Sequence, residues 1–307
     1  MSSPDRDFGE HFTGPAWADL AHAICEKHAV RSAELERAQS SDHVVFLVDG
    51  RLVLKIFRPS RNCFERESKA LEFASARLAF ATPEIIETGS FEGLDYLLTS
   101  RVPGKAMSRP EFLLLPANEQ IDILADLAEG MRQIHDIDPS FFADDWPAFV
   151  DDRAATFIDR QIAHGVNSRI IKALPGFIEK HLPGIPRTPT VFLHGDVHFG
   201  NLRFERVDGR LRISGLFDFA DSRRGFHEYD LLAVGVLMIQ GKRDLQREFF
   251  RAYGYAESDL NNEMRHRLMM LTMLYETSDL CRYAIRLSPG AVDFTLDELE
   301  RSIWSFV

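Results

Sequence analysis

The stretch Val191–Asn201, VFLHGDVHFGN, joins a short apolar run to a polar loop. Residues 191–193 predict a strand, and the loop after them carries Asp196 and ends at Asn201. A second strand-like run, residues 211–217, leads directly into Asp218. An aspartate, an amide five positions later and a further aspartate after the next strand are typical of magnesium-dependent phosphoryl transfer. There, one carboxylate orients the attacking hydroxyl, while the amide oxygen and the second carboxylate hold the metal ion on the nucleotide phosphates.

The bulk composition is that of an ordinary globular chain, with 45% hydrophobic and 27% charged residues. A length of 307 residues is long for one hydrophobic core and suits two lobes. The formal net charge of −11 disfavours nucleic-acid binding, which needs a basic surface. The three cysteines are widely spaced, which indicates a reducing compartment and no disulfide framework.

Two features of the sequence bear on its location. The polar, acidic start MSSPDRDFGEHF does not resemble a secretory signal. The apolar runs all fall short of the ~18 residues needed to cross a bilayer. We therefore expect a cytoplasmic protein without a membrane partner, and no sequence pattern predicts its oligomeric state.

The first third of the chain predicts a small lobe of class α+β. A helix opens at Pro15, and the hairpin of residues 43–57 turns at Asp49-Gly50. A helix follows from Cys63, and residues 84–91 and 94–102 form a second hairpin. Hairpins give an antiparallel sheet. The segment that follows it, residues 99–104, is expected to be a hinge.

The rest of the chain reads as mostly helical. Apolar residues recur at helical spacing in residues 116–135, 149–164, 227–240, 245–253, 260–286 and 296–304. A further helix, residues 170–181, is expected to be interrupted at Pro175. The predicted domains are residues 1–102, an N-terminal nucleotide-binding lobe, and residues 103–307, a helical lobe with the catalytic loop and a substrate cap.

These motifs resemble the aminoglycoside phosphotransferase-like family of small-molecule kinases. Its pattern HGDxxxxN, a strand-end aspartate and a YDL segment match VFLHGDVHFGNLRF and ISGLFDFADSRRGFHEYDLLAV. VLKIF, RESKALEF, YLLTSRVPG and IHDIDP match the rest, from about Ser40 to about Gly254. The resemblance implies a bilobal, protein-kinase-like fold with ATP or GTP bound between the lobes.

The resemblance also implies roles for individual residues. Lys55 would contact the α- and β-phosphates, and Glu67, with Glu65 as the alternative, would hold this lysine. Asp196 would be the catalytic base or orienter of the acceptor hydroxyl. The Mg²⁺ ligands would be Asn201 and Asp218.

The nucleotide-binding parts carry further candidates. The base edge would be read at the hinge, around Ser100 and Val102. The loop of residues 37–42 contains no glycine, so Ser40 and Ser41 would have to contact the phosphates instead. Only 12 positions separate Asp218 from Asp230, which leaves little room for an activation loop and argues against a protein substrate.

The acceptor is the open question. An aminoglycoside-type acceptor would need carboxylates, for which Glu228, Asp230, Glu276 and Asp279 are candidates, the last two expected one helical turn apart. An amino or sugar metabolite is the other class. A quaternary ammonium group could be caged by aromatic residues such as Trp146, Tyr253, Tyr275 and Tyr283.

Two other functions are compatible with parts of this pattern. One is a catalytically silent nucleotide-binding regulator on the same fold, which the glycine-free loop faintly favours. The other is a metal hydrolase using His194, Asp196 and His198, but the further downstream histidine and acid cluster that it requires is not present in the sequence.

Overall fold

The computed structural model describes residues 14–30, 34–38, 42–75, 77–288 and 294–307. The chain divides into two compact units, Met1–Gly104 with Ser214–Asp221, and Lys105–Ile213 with Ser222–Val307. No helix within the described ranges is both long enough and apolar enough to span a membrane.

The first unit is built on a five-stranded sheet with the order β1-β2-β3-β5-β4. All its pairings are antiparallel. Its elements in chain order are α1 Gly14–Lys27, β1 Leu35–Arg37, β2 Val44–Val48, β3 Leu52–Ile56, α2 Phe64–Ala74, β4 Ile85–Phe91 and β5 Leu94–Ser100. The helix and hairpins were thus correctly predicted, with β1 as an additional edge strand.

Both hairpins turn where the sequence predicts. Asp49 and Gly50 have φ values of 51° and 66°, and Glu92 and Gly93 have 51° and 80°. Two successive positive φ angles match the right-handed twist of the strands that such a turn joins. The core of this unit lies between α1 and the sheet, with buried residues that include Trp17, Leu20, Ile24, Phe46, Leu54, Tyr96 and Leu98.

The second unit is mostly helical. Its helices are α3 Arg109–Leu114, α4 Ala117–His135, α5 Trp146–Ala163, α6 Ser168–His181, α7 Glu228–Ala233, α8 Arg243–Tyr253, α9 Asn262–Leu274, α10 Leu280–Leu287 and α11 Leu296–Ile303. Its strands are β6 Val191–Leu193, β7 Leu202–Val207, the start of β8 Arg210–Leu216, and β9 Arg223–Gly225. Short β6 pairs antiparallel with β9. The antiparallel sheet and the helical second unit confirm the predicted α+β class.

Three helical predictions are corrected by the structure. Helix α6 continues through Pro175, because an interior proline removes one backbone hydrogen bond without necessarily ending the helix. The pattern of residues 227–240 is α7 followed by a π-helical turn, Val234–Ile239. The pattern of residues 260–286 is two helices, because α9 ends at Leu274 and Asp279 caps α10 by accepting a hydrogen bond from the Arg282 N–H.

Candidate active site

Lys55 lies in the middle of the first unit's sheet. On β3 it is in register with Val45 on one side and Leu97 on the other. Its Nζ donates to Oε2 of Glu67, in the first turn of α2, at 2.6 Å, and to Oδ1 of Asp218 at 2.8 Å. The predicted fallback, Glu65, is not in this contact.

Burial and charge act on this cluster in opposite directions. Burial by itself would lower the pKa of Lys55, but the carboxylates of Glu67 and Asp218 outweigh it and raise that pKa above its ordinary value. Burial raises the pKa of Glu67, and the Lys55 ammonium opposes this rise. The ammonium therefore stays charged, although only 10% of the Lys55 side chain is exposed.

Asp218 lies just after β8, and the end of that strand, from Ser214 onward, belongs to the first unit. Ala81 pairs with this segment by donating to Ser214 O at 3.0 Å and accepting from Leu216 N at 2.9 Å. A side chain at Gly215 would collide with Val102, whose Cγ1 lies 1.9 Å from the position of an added Cβ. Asp218 has φ +66°, a left-handed conformation that aspartate tolerates better than most residues.

Asp196 in the second unit is surrounded by hydrogen-bond donors. Its Oδ2 accepts from His198 Nε2 at 3.1 Å and from Asn201 Nδ2 at 3.2 Å. Its Oδ1 accepts from the hydroxyl of Tyr275 at 2.6 Å. The tautomer of His198 follows from its other nitrogen: Nδ1 accepts from the Gly200 N–H at 2.9 Å, so the ring proton is on Nε2.

These donors determine the charge of Asp196. Burial alone would raise its pKa, but the hydrogen bonds that its carboxylate accepts from His198 and Tyr275 contribute to a net pKa below the ordinary value. The carboxylate is therefore ionised at neutral pH and available to accept a further hydrogen bond.

The loop that carries Asp196 is held by Asp230, at the start of α7. The Asp230 carboxylate accepts from the backbone N–H of His194 at 2.9 Å and of Gly195 at 2.6 Å. His135, at the end of α4, contacts the same carboxylate through Nε2 at 3.1 Å. Asp230 is only 1% exposed, and these three hydrogen-bond partners take the place of the water molecules that would otherwise solvate its carboxylate. Asp230 therefore supports this loop.

Asn201 is oriented by Asp196 as well. Its amide nitrogen donates to the backbone oxygen of Asp196 at 2.9 Å in addition to Oδ2, so the amide oxygen points away from these contacts. An amide oxygen and the carboxylate of Asp218 are hard oxygen donors of the kind that Mg²⁺ prefers. The chemistry of both residues therefore fits the predicted ligands.

The hydrolase hypothesis gains no support from this geometry. Both ring nitrogens of His198 are engaged, and Nδ1 of His194 accepts from the Asp196 N–H at 3.2 Å. Across the described ranges, no group of three or more His, Cys, Asp or Glu side chains is arranged to hold a metal ion.

The remaining nucleotide candidates are only partly described. Ser100 ends β5, where its Oγ accepts from the Glu84 N–H at 2.9 Å, and Val102 is buried. Ser40 and Ser41 lie outside the described residues. The roles of all four stay predictions.

The carboxylates proposed for a cationic acceptor are largely engaged within the protein. Glu228 is buried and pairs with Arg267 through two bonds of 2.7 Å. Asp279 caps α10, so the expectation that it lies one helical turn from Glu276 is wrong. Glu276 itself pairs with Arg223 at 3.3 Å. The proposed aromatic residues are used in packing: Trp146, Tyr275 and Tyr283 are buried, and Tyr253 bonds His135 at 2.6 Å.

Sequence reasoning did not place Tyr275 at the site. It lies 79 positions after Asp196, just beyond the end of α9, and it was considered only as an aromatic cage residue. Its hydroxyl contact with Asp196 depends on the packing of two distant segments, which leaves no local pattern in the sequence.

The profile described as "phosphotransferase enzyme family" matches residues 33–269. No curated protein sequence matches significantly.

Several solved structures share the fold. The GDP complex of aminoglycoside 2'-phosphotransferase-IIIa superposes with a TM-score of 0.74 at 13% identity, over 96% of this chain and 100% of that one. The streptomycin–ATP complex of APH(2")-IIa gives 0.63 at 18% identity, over 88% and 94%. The complex of Streptomyces rimosus APH(3'')-Id with ADP and streptomycin gives 0.57 at 19% identity, over 84% and 98%. At these identities the likeness establishes a shared, protein-kinase-like fold. Because the family profile covers most of its length, this chain belongs to the phosphotransferase enzyme family.

Proposed function

We propose that this protein is a magnesium-dependent kinase that transfers the γ-phosphate of ATP or GTP to a hydroxyl group of a small molecule. The observation that carries the proposal is the Asp196 carboxylate, which is ionised and held by His198, Asn201 and Tyr275. Such a carboxylate suits the orientation of an attacking hydroxyl, because it can accept one more hydrogen bond without being displaced.

In the proposed reaction a bond forms between the acceptor oxygen and the γ-phosphorus, and the bond from that phosphorus to the β,γ-bridging oxygen breaks. The acceptor proton passes to the Asp196 carboxylate, which orients the hydroxyl by hydrogen bonding, and the nucleoside diphosphate leaves with the bridging oxygen. Little covalent chemistry falls to the protein, so positioning and charge neutralisation supply most of the acceleration.

The first unit supplies a fixed cation. Lys55 is held by Glu67 and is the group proposed to contact the α- and β-phosphates. Asn201 and Asp218 are the proposed oxygen ligands of Mg²⁺, which would offset the phosphate charge when bound.

For the acceptor, the engagement of the four candidate carboxylates within the protein favours an amino or sugar metabolite over a polycationic aminoglycoside-type compound. All four candidate carboxylates have partners within the protein. Glu228 pairs with Arg267, and Glu276 pairs with Arg223. Asp230 accepts from the backbone of the loop that carries Asp196, and Asp279 caps α10. A compound with several ammonium groups would have to displace such pairs, which would reduce its affinity.

The test is nucleoside diphosphate release from ATP and from GTP, with Mg²⁺, across aminoglycosides, macrolides, choline, homoserine and sugar derivatives. We expect at least one hydroxylated metabolite to stimulate release, and we expect Asp196→Asn to lower the stimulated part by about 10²- to 10⁴-fold. Absence of any acceptor-dependent release above that of the Asp196→Asn variant would overturn the proposal.

Nucleotide binding measured beside the release assay distinguishes the silent regulator. That alternative predicts Mg²⁺-dependent nucleotide binding that survives Asp196→Asn, together with no turnover of any panel compound. Stronger stimulation by aminoglycosides than by neutral sugars would contradict the assignment of the acceptor class alone.

A further inference from the structure

Tyr275 is a buried tyrosine whose hydroxyl is turned onto the candidate catalytic carboxylate. It follows directly after α9, is 3% exposed and donates to Asp196 Oδ1 at 2.6 Å. Burial, followed by the charge of Asp196, raises its pKa well above the ordinary value for tyrosine. The phenol therefore keeps its proton and acts as a donor.

The backbone around Tyr275 is fixed from several directions. Arg153, on α5, donates from Nε to Leu274 O at 3.2 Å and from an Nη to Tyr275 O at 3.0 Å. The Glu276 N–H donates to the hydroxyl of Tyr229 at 3.1 Å. The Ser278 N–H donates to Tyr275 O at 3.0 Å. Because the backbone of this turn is constrained, the Tyr275 hydroxyl is preorganised toward Asp196.

The bonds to Asp196 restrict where a substrate can bind. A carboxylate offers about four lone-pair directions, two on each oxygen. His198 and Asn201 take both directions on Oδ2, and Tyr275 takes one on Oδ1. One direction on Oδ1, beside the tyrosine hydroxyl, remains for an incoming hydroxyl.

We propose that Tyr275 is a positioning residue for phosphoryl transfer, which fixes Asp196 through Oδ1 and so directs the acceptor hydroxyl to the one remaining lone pair of that oxygen. This inference rests on the proposed function and adds a residue from the end of α9 to the catalytic group. Without the Tyr275 hydroxyl, Oδ1 of Asp196 offers two equivalent lone-pair directions. The Asp196 carboxylate also loses the contact on Oδ1 that limits its rotation. The acceptor can then bind, but it is less often aligned for attack.

The matched pair of variants is Tyr275→Phe and Tyr255→Phe. Each removes one phenol hydroxyl that donates to a carboxylate, but the hydroxyl of Tyr255 bonds Glu228, whereas that of Tyr275 bonds Asp196. With the best acceptor of the release assay, we expect Tyr275→Phe to lower kcat by about 10- to 100-fold, the range expected for losing one hydrogen bond to a charged group. KM for the acceptor and the Kd for Mg·ATP should change by less than about twofold, because uniform binding is retained.

A double-mutant cycle shows whether the tyrosine acts through the aspartate. In the Asp196→Asn background, Tyr275→Phe should cost almost nothing further in the residual rate, because interacting residues are non-additive. Equal losses from Tyr275→Phe and Tyr255→Phe, additive losses in the cycle, or a weakened Kd for Mg·ATP in Tyr275→Phe would each overturn the inference. Failure of the proposed function looks different: no acceptor stimulates release from the wild-type protein at all.

Discussion

Lys55 and Glu67 form a nearly fully buried ion pair, with 2.6 Å between Nζ and Oε2 and side-chain exposures of 10% and 6%. The lysine has a second anionic partner, Asp218, whose side chain is 43% exposed. Removing one member of such a pair leaves a buried charge without full compensation, whereas removing both can be neutral.

We expect Glu67→Ala to lower the free energy of unfolding by about 3 kcal/mol, the scale found when one partner of a buried ion pair is removed. The measurement is urea denaturation at pH 7.5. The double variant Lys55→Met/Glu67→Leu should recover most of the lost stability while remaining inactive in nucleotide turnover. A double variant as unstable as Glu67→Ala would show that the pair itself, not the orphaned charge, stabilises the unit.

Gly200 lies under the ring of His198. A Cβ at this position would be 2.5 Å from His198 Cε1 and 2.9 Å from Nδ1. We expect Gly200→Ala to displace the ring, break its bond to Asp196 and lower kcat by about 10-fold.

The control for this change is Gly176→Ala. It lies within α6, where an added Cβ meets nothing within 4 Å. It should leave kcat unchanged and stabilise the protein by about 0.5–1 kcal/mol through helix propensity. Unchanged kcat in Gly200→Ala would mean that the His198 contact does not position Asp196.

Asp230 holds the loop that carries Asp196 by accepting hydrogen bonds from two backbone N–H groups. Asp230→Asn replaces one carboxylate oxygen by an amide nitrogen. This nitrogen is a donor and cannot accept the hydrogen bond of the backbone N–H that faces it. We expect a loss of about 2–4 kcal/mol in the free energy of unfolding, since a buried donor is left unsatisfied. Nucleotide turnover should fall as well. Asp136→Asn, at an exposed position at the end of α4, should change neither quantity, and a similar loss in both variants would point to a general charge effect.

His227 makes the stability of the second unit dependent on pH. Its Nε2 lies 2.9 Å from the hydroxyl of Tyr255, which itself donates to Glu228, so the imidazole donates to that oxygen. Burial, the largest effect, lowers the pKa of His227 from 6.5 to about 4. Because the pKa of His227 is lower in the folded state, the unfolded chain takes up the proton at a higher pH than the folded protein does. The contribution of His227 to stability is therefore fully present above pH 6.5 and is lost as the pH falls toward 4.

We expect His227 to account for about 2 kcal/mol of the stability lost between pH 7.5 and pH 5. The measurement is urea denaturation at both pH values, and His227→Gln should reduce the difference by that amount. His22→Gln, at an exposed position on α1, is the control. Equal pH dependence in the wild type and His227→Gln would contradict the assignment.

Much of the fold is legible in the sequence because its signals are local. Asp49-Gly50 predicts the first hairpin, since few residue pairs adopt two successive positive φ angles readily, and Gly93 marks the turn of the second. Helical periodicity predicts α4 because its buried residues recur every three or four positions. The same periodicity runs through residues 260–286 without revealing the break after Leu274, since apolar residues pack on both sides of that turn.

The candidate site divides in the same way. Asp196 and Asn201 are only five residues apart, and they lie in a loop whose pattern belongs to the family, so their contact follows from the sequence itself. The resemblance predicts the pair of Lys55 and Glu67, whereas the contact of Lys55 with Asp218 appears only in the packed structure. The sequence favours a solvated helix face over a ligand role for Glu228 and Asp279. In the structure Glu228 pairs with Arg267, 39 positions away, whereas Asp279 caps the helix that begins at the next residue.

The sequence by itself determined the α+β class and predicted the chemistry of the HGDVHFGN loop, because turn residues, periodicity and a short motif act over a few positions. Tertiary structure alone decided which distant side chains reach that loop. Tyr275 contacts Asp196 from 79 positions away, and Asp230 supports the loop from 36 positions beyond His194. The physical reason is that a hydrogen bond needs its two atoms within about 3 Å, and only the packing of whole helices brings such remote residues so close.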